Sequence, residues 1–143
     1  PMYGTGNSNV TSQLDNVEIA IIPDRSGQYL RNALIDRFYK NGYPNDAAYN
    51  LQINPIVERI SDFDITVESE ATRQQIKLST TLSLIDKKNG EVVLKQNLTA
   101  ITSNNILESE FSTLITEQSA RDAALNDLAR QIERQLALYF SSL

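Results

Sequence analysis

The strongest constraint on this fold is a long alternation of apolar and polar residues, which runs from residue 72 to residue 103 and is interrupted once by Asn89-Gly90. A period of two is typical of strands with one buried face, and an Asn-Gly pair supplies the positive φ that a short hairpin loop needs. The sequence therefore predicts a β-hairpin with residues 86–90 as its loop. If Ile85 pairs with Glu91, its apolar face holds Ile76, Leu78, Leu82, Leu84, Val92, Leu94, Leu98 and Ala100.

The opposite face of the same hairpin carries hydroxyl, amide and ammonium groups. The same pairing assigns to it Lys77, Ser79, Thr81, Ser83, Lys95, Asn97 and Thr99. Because successive side chains of a strand point to opposite faces, the two sets cannot mix. We expect helices to cover the apolar face and leave the polar face to water or to a partner.

The rest of the chain adds two strands and two helices. Residues 17–22 form a short apolar strand, and residues 26–42 a helix with Ser26 as candidate N-cap and Asn41-Gly42 as its stop. Residues 47–67 are interpreted as one long strand in which Pro55 requires a sheet edge or a bulge. A final helix, capped by Thr116 or Ser119, carries the apolar stripe Ala120, Ala124, Leu125, Leu128, Ile132, Leu136 and Tyr139 or Phe140.

These elements predict the order β-α-β-β-β-α. Two amphipathic helices and one apolar sheet face make an α+β two-layer sandwich, with both helices packed on one face of a four-stranded, mostly antiparallel sheet. Residues 1–15, rich in Gly, Asn, Ser and Thr, are interpreted as a flexible tether, and residues 16–143 as a single domain.

Composition removes several classes of function. The chain has 143 residues, no cysteine and no histidine, which excludes disulfides, Ser-His-Asp and Cys-His catalysis, and the commonest zinc ligands. A net charge of −5 argues against nucleic acid as the main partner. No stretch approaches the roughly 20 apolar residues of a membrane helix.

Three weak chemical patterns remain, and each has a simpler interpretation. Ser79 or Ser83 beside Lys77 or Lys95 could form a Ser-Lys dyad, but no strained nucleophile turn is visible. The acidic residues Asp62, Asp64, Glu68 and Glu70 could bind a cation, although solvated carboxylates fit better. Gly4 and Gly6 follow no strand and open no helix, as a phosphate loop would. We predict no catalytic residue, no metal and no cofactor.

The lysines of the hairpin leave two interpretations open. Lys87 and Lys88 occupy the loop, while Arg73, Lys77 and Lys95 lie along the strands of an otherwise acidic protein. A positive strip can contact phosphate groups. Lysines also protect sheet edges and solubilise hairpin tips.

The last helix and the first residues together resemble one family. Residues 111–140, with Glu117, Ala120, Arg121, Ala124, Leu125, Leu128, Ala129, Ile132, Arg134, Leu136, Ala137, Tyr139 and Phe140, are similar to the final helix of alphaproteobacterial LptE, the lipopolysaccharide-assembly lipoprotein. At the other end, Pro1, Tyr3 and Gly4 match the segment after the lipidated cysteine of these proteins, with Met2 in place of the usual leucine.

The resemblance implies a specific role. It implies a lipoprotein on the periplasmic face of the outer membrane, anchored through a cysteine upstream of Pro1, with residues 1–15 as tether. It also implies a β-barrel partner, LptD, which the domain plugs, and lipopolysaccharide as ligand. An alternative is a periplasmic protein- or peptide-binding module that docks through the edge of the strand containing Pro55.

Within that role we assign two sets of residues. We predict that Lys87 and Lys88 contact lipopolysaccharide, with Arg73, Lys77 and Lys95 as secondary candidates. We predict that the polar face contacts the barrel, through Ser79, Thr81, Ser83, Asn97 and Thr99.

Overall fold

A computed structural model of the chain describes residues 13–40, 42–64, 72–106 and 110–143. The elements, in chain order, are β1 (Val17–Ile19), α1 (Asp24–Phe38), β2 (Tyr49–Ile53), β3 (Val57–Asp64), β4 (Thr72–Asp86), β5 (Glu91–Ile106) and α2 (Glu110–Ser141). Both helices lie on one side of a mostly antiparallel sheet, so the predicted α+β class is confirmed.

Strand β4 is the centre of a five-stranded sheet. It pairs with β5 antiparallel along its whole length on one side. On its other side it pairs antiparallel first with β3, over residues 72–79, and then with β2, over residues 82–86. Strand β1 pairs with the other side of β2 and runs parallel to it. The sheet is therefore four strands wide, as predicted, but contains five strands.

The additional strand arises at Pro55, where the predicted long strand is broken into β2 and β3. Proline has no N–H to donate to the ladder, and the chain leaves strand geometry over residues 54–56. The break is held to β4, because the Asn54 N–H donates to the Thr81 carbonyl (3.0 Å) and the Thr80 hydroxyl donates to the Asn54 carbonyl (2.7 Å). The two strands thus stay collinear along one side of β4.

The hairpin is confirmed with residues 87–90 as its loop, since Asp86 is the last residue of β4 and pairs with Glu91, but its register differs from the prediction. Ile85 pairs with Val92 and Leu84 with Leu94, so Val93 is the additional residue of a β-bulge. The prediction that Val92 lies on the apolar face is wrong, since this side chain is 54% exposed and Val93 packs partly against the core instead. Below the bulge the predicted parity holds, and the apolar residues of β4 and β5 face the helices.

The core lies between the sheet and the two helices. The predicted stripe of α2 is buried or nearly so from Ala120 to Phe140, and α1 contributes Leu30, Leu34 and Phe38. Gly27 allows α1 to approach the preceding segment, because a Cβ there would lie 2.7 Å from the Ile22 carbonyl oxygen. In the portions of the chain that the structure describes, neither helix is long and apolar enough to span a bilayer.

The helix boundaries correct three capping predictions. Helix α1 begins at Asp24 with Pro23 as its N-cap, so Ser26 lies inside the first turn. Helix α2 begins at Glu110, which places Thr116 and Ser119 within it. Helix α1 ends at Phe38 with Tyr39 as its C-cap, so Gly42, although it has a positive φ of 95°, lies three residues beyond the cap and is not the predicted stop. Asn41 lies outside the described residues.

Candidate functional site: the open face of the sheet

The face of the sheet that points away from the helices, here called the open face, is the main candidate site. It contains all of the predicted barrel-contacting residues, and each is exposed or half-buried: Ser79, Thr81, Ser83, Asn97 and Thr99. Thr81 and Asn97 are cross-strand partners, and the Thr81 hydroxyl donates to the Asn97 side-chain oxygen at 2.8 Å. Neighbouring hydroxyl and amide groups thus present both donors and acceptors outward.

Strands β2 and β3 widen this face beyond the hairpin. Gln52 pairs with Ser83, Val57 with Ser79 and Arg59 with Lys77, so these side chains continue the same rows. Exposed large apolar side chains stand on this face as well, including Val57 at 62% exposure, Ile101 at 55% and Val92 at 54%. The face is therefore mostly polar with a few exposed apolar side chains, which suits a wet contact surface better than a dry one.

The two lysines predicted to bind lipopolysaccharide lie on an ordered hairpin tip. The loop is fixed by Asp86 and Asn89, whose side-chain oxygens accept the N–H groups of Lys88 (2.9 Å) and Glu91 (3.0 Å). The Lys87 ammonium forms an exposed ion pair with Glu18 of β1 (3.1 Å), while Lys88 is exposed. An exposed pair of this kind is worth about 1 kcal/mol or less, so Lys87 can exchange Glu18 for another anion.

The predicted cations do not form one cluster. Lys95 is four residues below the start of β5, but Lys77 is ten residues from Lys87 along β4, which is about 33 Å at strand spacing. Arg73 is farther still from the tip. The structure instead places Arg59 opposite Lys77, giving a second basic group at the other end of the open face. Sequence reasoning missed Arg59 because Pro55 made the register of this strand unpredictable.

The alternative catalytic patterns gain no support from the geometry. Ser83 and Lys95 are cross-strand partners and Ser79 lies two residues from Lys77, but all four side chains sit on the open, solvated face without an enclosing pocket. Asp62 is exposed at the far end of β3, while Glu68 and Glu70 lie outside the described residues. Among the residues with described positions, no group of three acidic side chains is arranged to hold a metal ion.

A second feature is a cleft of about 510 Å³ between the start of α1, the first half of α2 and the start of β3. Arg121 lies in it and donates to both carboxylate oxygens of Glu58, to Glu117 (3.0 Å) and to Gln118 (3.0 Å). The hydrogen bonds with Glu58 raise the pKa of Arg121. Since two carboxylates balance this guanidinium, the cleft presents no unpaired cation from Arg121, and we interpret the arrangement as a clamp between α2 and β3.

The fold and the open face define a class: a small helix-backed sheet that presents a polar surface for binding. The model of the LptE family, described as lipopolysaccharide-assembly, matches residues 14–138, and the chain belongs to this family. Its role therefore lies in lipopolysaccharide assembly. The resemblance seen in the sequence is confirmed.

Several solved structures share this fold. A lipoprotein of Caulobacter crescentus has 24% identity and a TM-score of 0.73, over 95% of this chain and 98% of that chain. A minor lipoprotein of Acinetobacter baumannii has 22% identity and a TM-score of 0.61, over 85% and 88% of the two chains. Lipoprotein B of Nitrosomonas europaea has 18% identity and a TM-score of 0.61, over 88% and 84%. The search of curated proteins gave no match.

Proposed function

We propose that this protein is an outer-membrane lipoprotein of the periplasmic face, which plugs an LptD-like β-barrel and so assists the assembly of lipopolysaccharide into the outer membrane. The observation that carries the proposal is the open face: a sheet surface of Ser, Thr, Asn, Gln and Lys that neither helix covers. Its work is non-enzymatic, and its anchor is a lipid on a cysteine upstream of Pro1.

The open face has the chemistry that a barrel interior requires. The lumen of an outer-membrane barrel is polar, so a plug must satisfy hydrogen bonds along its wall. Hydroxyl and amide side chains do this without the desolvation cost of charges. We assign the wall contacts to Ser79, Thr81, Ser83, Asn97 and Thr99.

Lipopolysaccharide is the proposed ligand of the hairpin tip. Its lipid A carries phosphates, and ammonium groups on a rigid support bind phosphate oxygens. Lys87 and Lys88 are the principal candidates, because both are exposed and the loop that carries them is ordered. Lys95, Lys77 and Arg73 are secondary candidates, and the last two share their end of the sheet with Arg59.

Photo-crosslinking in intact cells tests the barrel contact. A photoreactive amino acid replaces Asn97 on the open face or, as a matched position, Ala123 on the exposed flank of α2. We expect the Asn97 variant to crosslink to the barrel in higher yield than the Ala123 variant. Crosslinks from position 123 with none from position 97 would show that the helices, and not the sheet, face the wall.

Titration with purified lipopolysaccharide tests the tip. The variant K87E/K88E is compared with K40E/R134E, which makes the same charge change at exposed positions in the helical layer. We expect K87E/K88E to weaken binding by about tenfold or more, which is the loss of about one charge-assisted hydrogen bond. Equal affinity of the two variants would remove Lys87 and Lys88 from the ligand site.

A further inference from the structure

The outer edge of β5 is the longest unpaired strand edge in the part of the chain that the structure describes. Strand β5 extends over 16 residues and, among the described strands, pairs with β4 alone. The edge of β3 is half as long, at 8 residues, and carries Glu58, Arg59 and Asp62. An unpaired edge presents N–H and C=O groups at strand spacing, which is a template for another strand.

The ladder shows which residues of β5 point their backbone groups outward. The Asn54 N–H donates to the Thr81 carbonyl, so Thr81 directs its backbone groups toward β2 and β3. The alternate residues of β4 direct theirs toward β5, and in antiparallel pairs both partners point at each other. After the bulge at Val93, the even-numbered residues of β5 therefore bond to β4. The outward groups belong to Asn97, Thr99, Ile101 and Ser103.

This edge lacks the features that usually prevent strand addition. Native edges are blunted by prolines, charges or bulges. Here the bulge at Val93 and the charge of Lys95 lie near the start of the strand, and residues 96–106 contain no charge and no proline. The uncharged part of the edge is 11 residues long, which is twice the length of an average strand.

An exposed apolar side chain lies on the edge strand itself. Ile101 is 55% exposed on the open face. A strand added to β5 would cover part of this side chain with its own.

Sterics determine which occupant fits. Helix α2 packs mainly on β5, and the Gln131 amide reaches over to donate to the outward Thr99 carbonyl (2.9 Å). A second copy paired edge to edge would bring two α2 helices to about 5 Å, whereas packed helices need 8–10 Å. The occupant must therefore be a strand that carries no helix on that side.

We propose that the β5 edge binds a single extended, uncharged segment of a partner protein, which adds to the sheet as a further strand. The inference does not rest on the barrel or on lipopolysaccharide. The Gln131 side chain competes with an added strand, because its amide donates to the Thr99 carbonyl that the strand would use.

The test uses the full chain and a synthetic peptide with the sequence of residues 96–106, QNLTAITSNNI, which has strand propensity and no helix. Binding is followed by fluorescence anisotropy, and the contact is located by amide hydrogen exchange. We expect saturable binding and slowed exchange at Asn97, Thr99, Ile101 and Ser103, whose amides have no ladder partner among the described strands.

Two variants separate edge addition from other binding. T99K places a charge on the edge and is expected to weaken binding by about tenfold. Q52K places the same charge on the open face of β2, which β4 separates from β5, and is expected to change binding by less than about twofold. Q131A removes the competing hydrogen bond to the Thr99 carbonyl and should strengthen peptide binding severalfold.

Three results would overturn the proposal. They are the absence of saturable binding, equal affinities of T99K and Q52K, and protection located on β3 in place of β5. Reversible dimerisation of the full chain with protection of the same β5 amides would show that a second copy, and not a lone segment, occupies the edge.

Discussion

Arg121 is the side chain that joins the end of the sheet to the helical layer. It donates to both oxygens of Glu58 on β3 and to Glu117 one turn earlier on α2, and its side chain is only 18% exposed. Glu117 and Arg121 also belong to the C-terminal pattern by which the sequence resembles its family. The structure gives that pattern a physical reason, because the pair binds β3 to the long helix.

We predict that R121Q lowers the free energy of unfolding by about 1–3 kcal/mol, since it leaves two partly buried carboxylates without their cation. Chemical denaturation at neutral pH measures the loss. The matched control is R130Q on the same helix, where Arg130 pairs with Asp127 at 52% and 42% exposure and the expected change is below about 0.5 kcal/mol. Equal effects of the two substitutions would show that the clamp does not contribute to stability.

Ionisation of Tyr39 makes the free energy of unfolding depend on pH in the alkaline range. Burial, together with the neighbouring Tyr43, raises the pKa of Tyr39 to about 12, and its hydroxyl donates to the Val17 carbonyl at 2.6 Å. Between pH 10 and 12 the folded chain therefore holds a proton that the unfolded chain has lost. The stability from this group is complete below pH 10 and is lost as the pH rises toward 12.

We predict that Y39F removes this contribution to the fall in stability and costs about 1 kcal/mol at neutral pH through the lost hydrogen bond. Denaturation curves at pH 7 and at several values between 9 and 12 provide the comparison. Parallel pH profiles for the two proteins would mean that Tyr39 titrates alike in the folded and unfolded chains.

At the scale of elements, the hairpin and the last helix were predictable because each depends on a local repeat. Period two fixed the faces of β4 and most of β5, and the apolar stripe fixed the buried side of α2. The bulge at Val93 was not predictable, because Val92 and Val93 are both apolar and either could occupy the inward position. Pro55 signalled a disturbance, but the two collinear strands depend on contacts with β4 that no local pattern encodes.

The candidate site was predictable in part for the same reason. The polar residues of the hairpin were assigned to one face by parity, and the structure places them there. Arg59 was missed because it enters the open face from a strand whose register follows Pro55. The Glu58–Arg121 contact joins residues 63 positions apart, so no spacing rule within one helix could reveal it.

The direction of the β5 backbone gives a prediction for the element itself. Replacing Ile101 by proline removes an outward N–H and no ladder bond, so we expect I101P to cost about 1 kcal/mol. Replacing Ala100 by proline removes a backbone hydrogen bond to β4, where Ala100 pairs with Leu78. We therefore expect A100P to lower the free energy of unfolding by about 2–3 kcal/mol more than I101P does. Thermal unfolding of both variants measures the difference. The reverse order would invert the assignment of outward and inward residues.

For the whole molecule, the two-layer architecture gives the helical layer and the open face of the sheet different roles. The helices bury the apolar face of the sheet and supply the core, which leaves the open face free for contacts with a partner. The hairpin loop lies level with the start of β2, where the Lys87 N–H donates to the Ala48 carbonyl, and its fixed backbone carries Lys87 and Lys88. A plug that lines a polar wall and offers a cationic tip to phosphates needs both features on one rigid domain.

Co-purification from native outer membranes tests the central claim most directly. The full-length precursor is expressed with a C-terminal tag, extracted in mild detergent and recovered through the tag, and the bound proteins are identified and quantified. The proposed function predicts a large outer-membrane β-barrel in near-equal molar amount. Recovery of the protein from the periplasm, without a barrel, would contradict the proposed role as a plug.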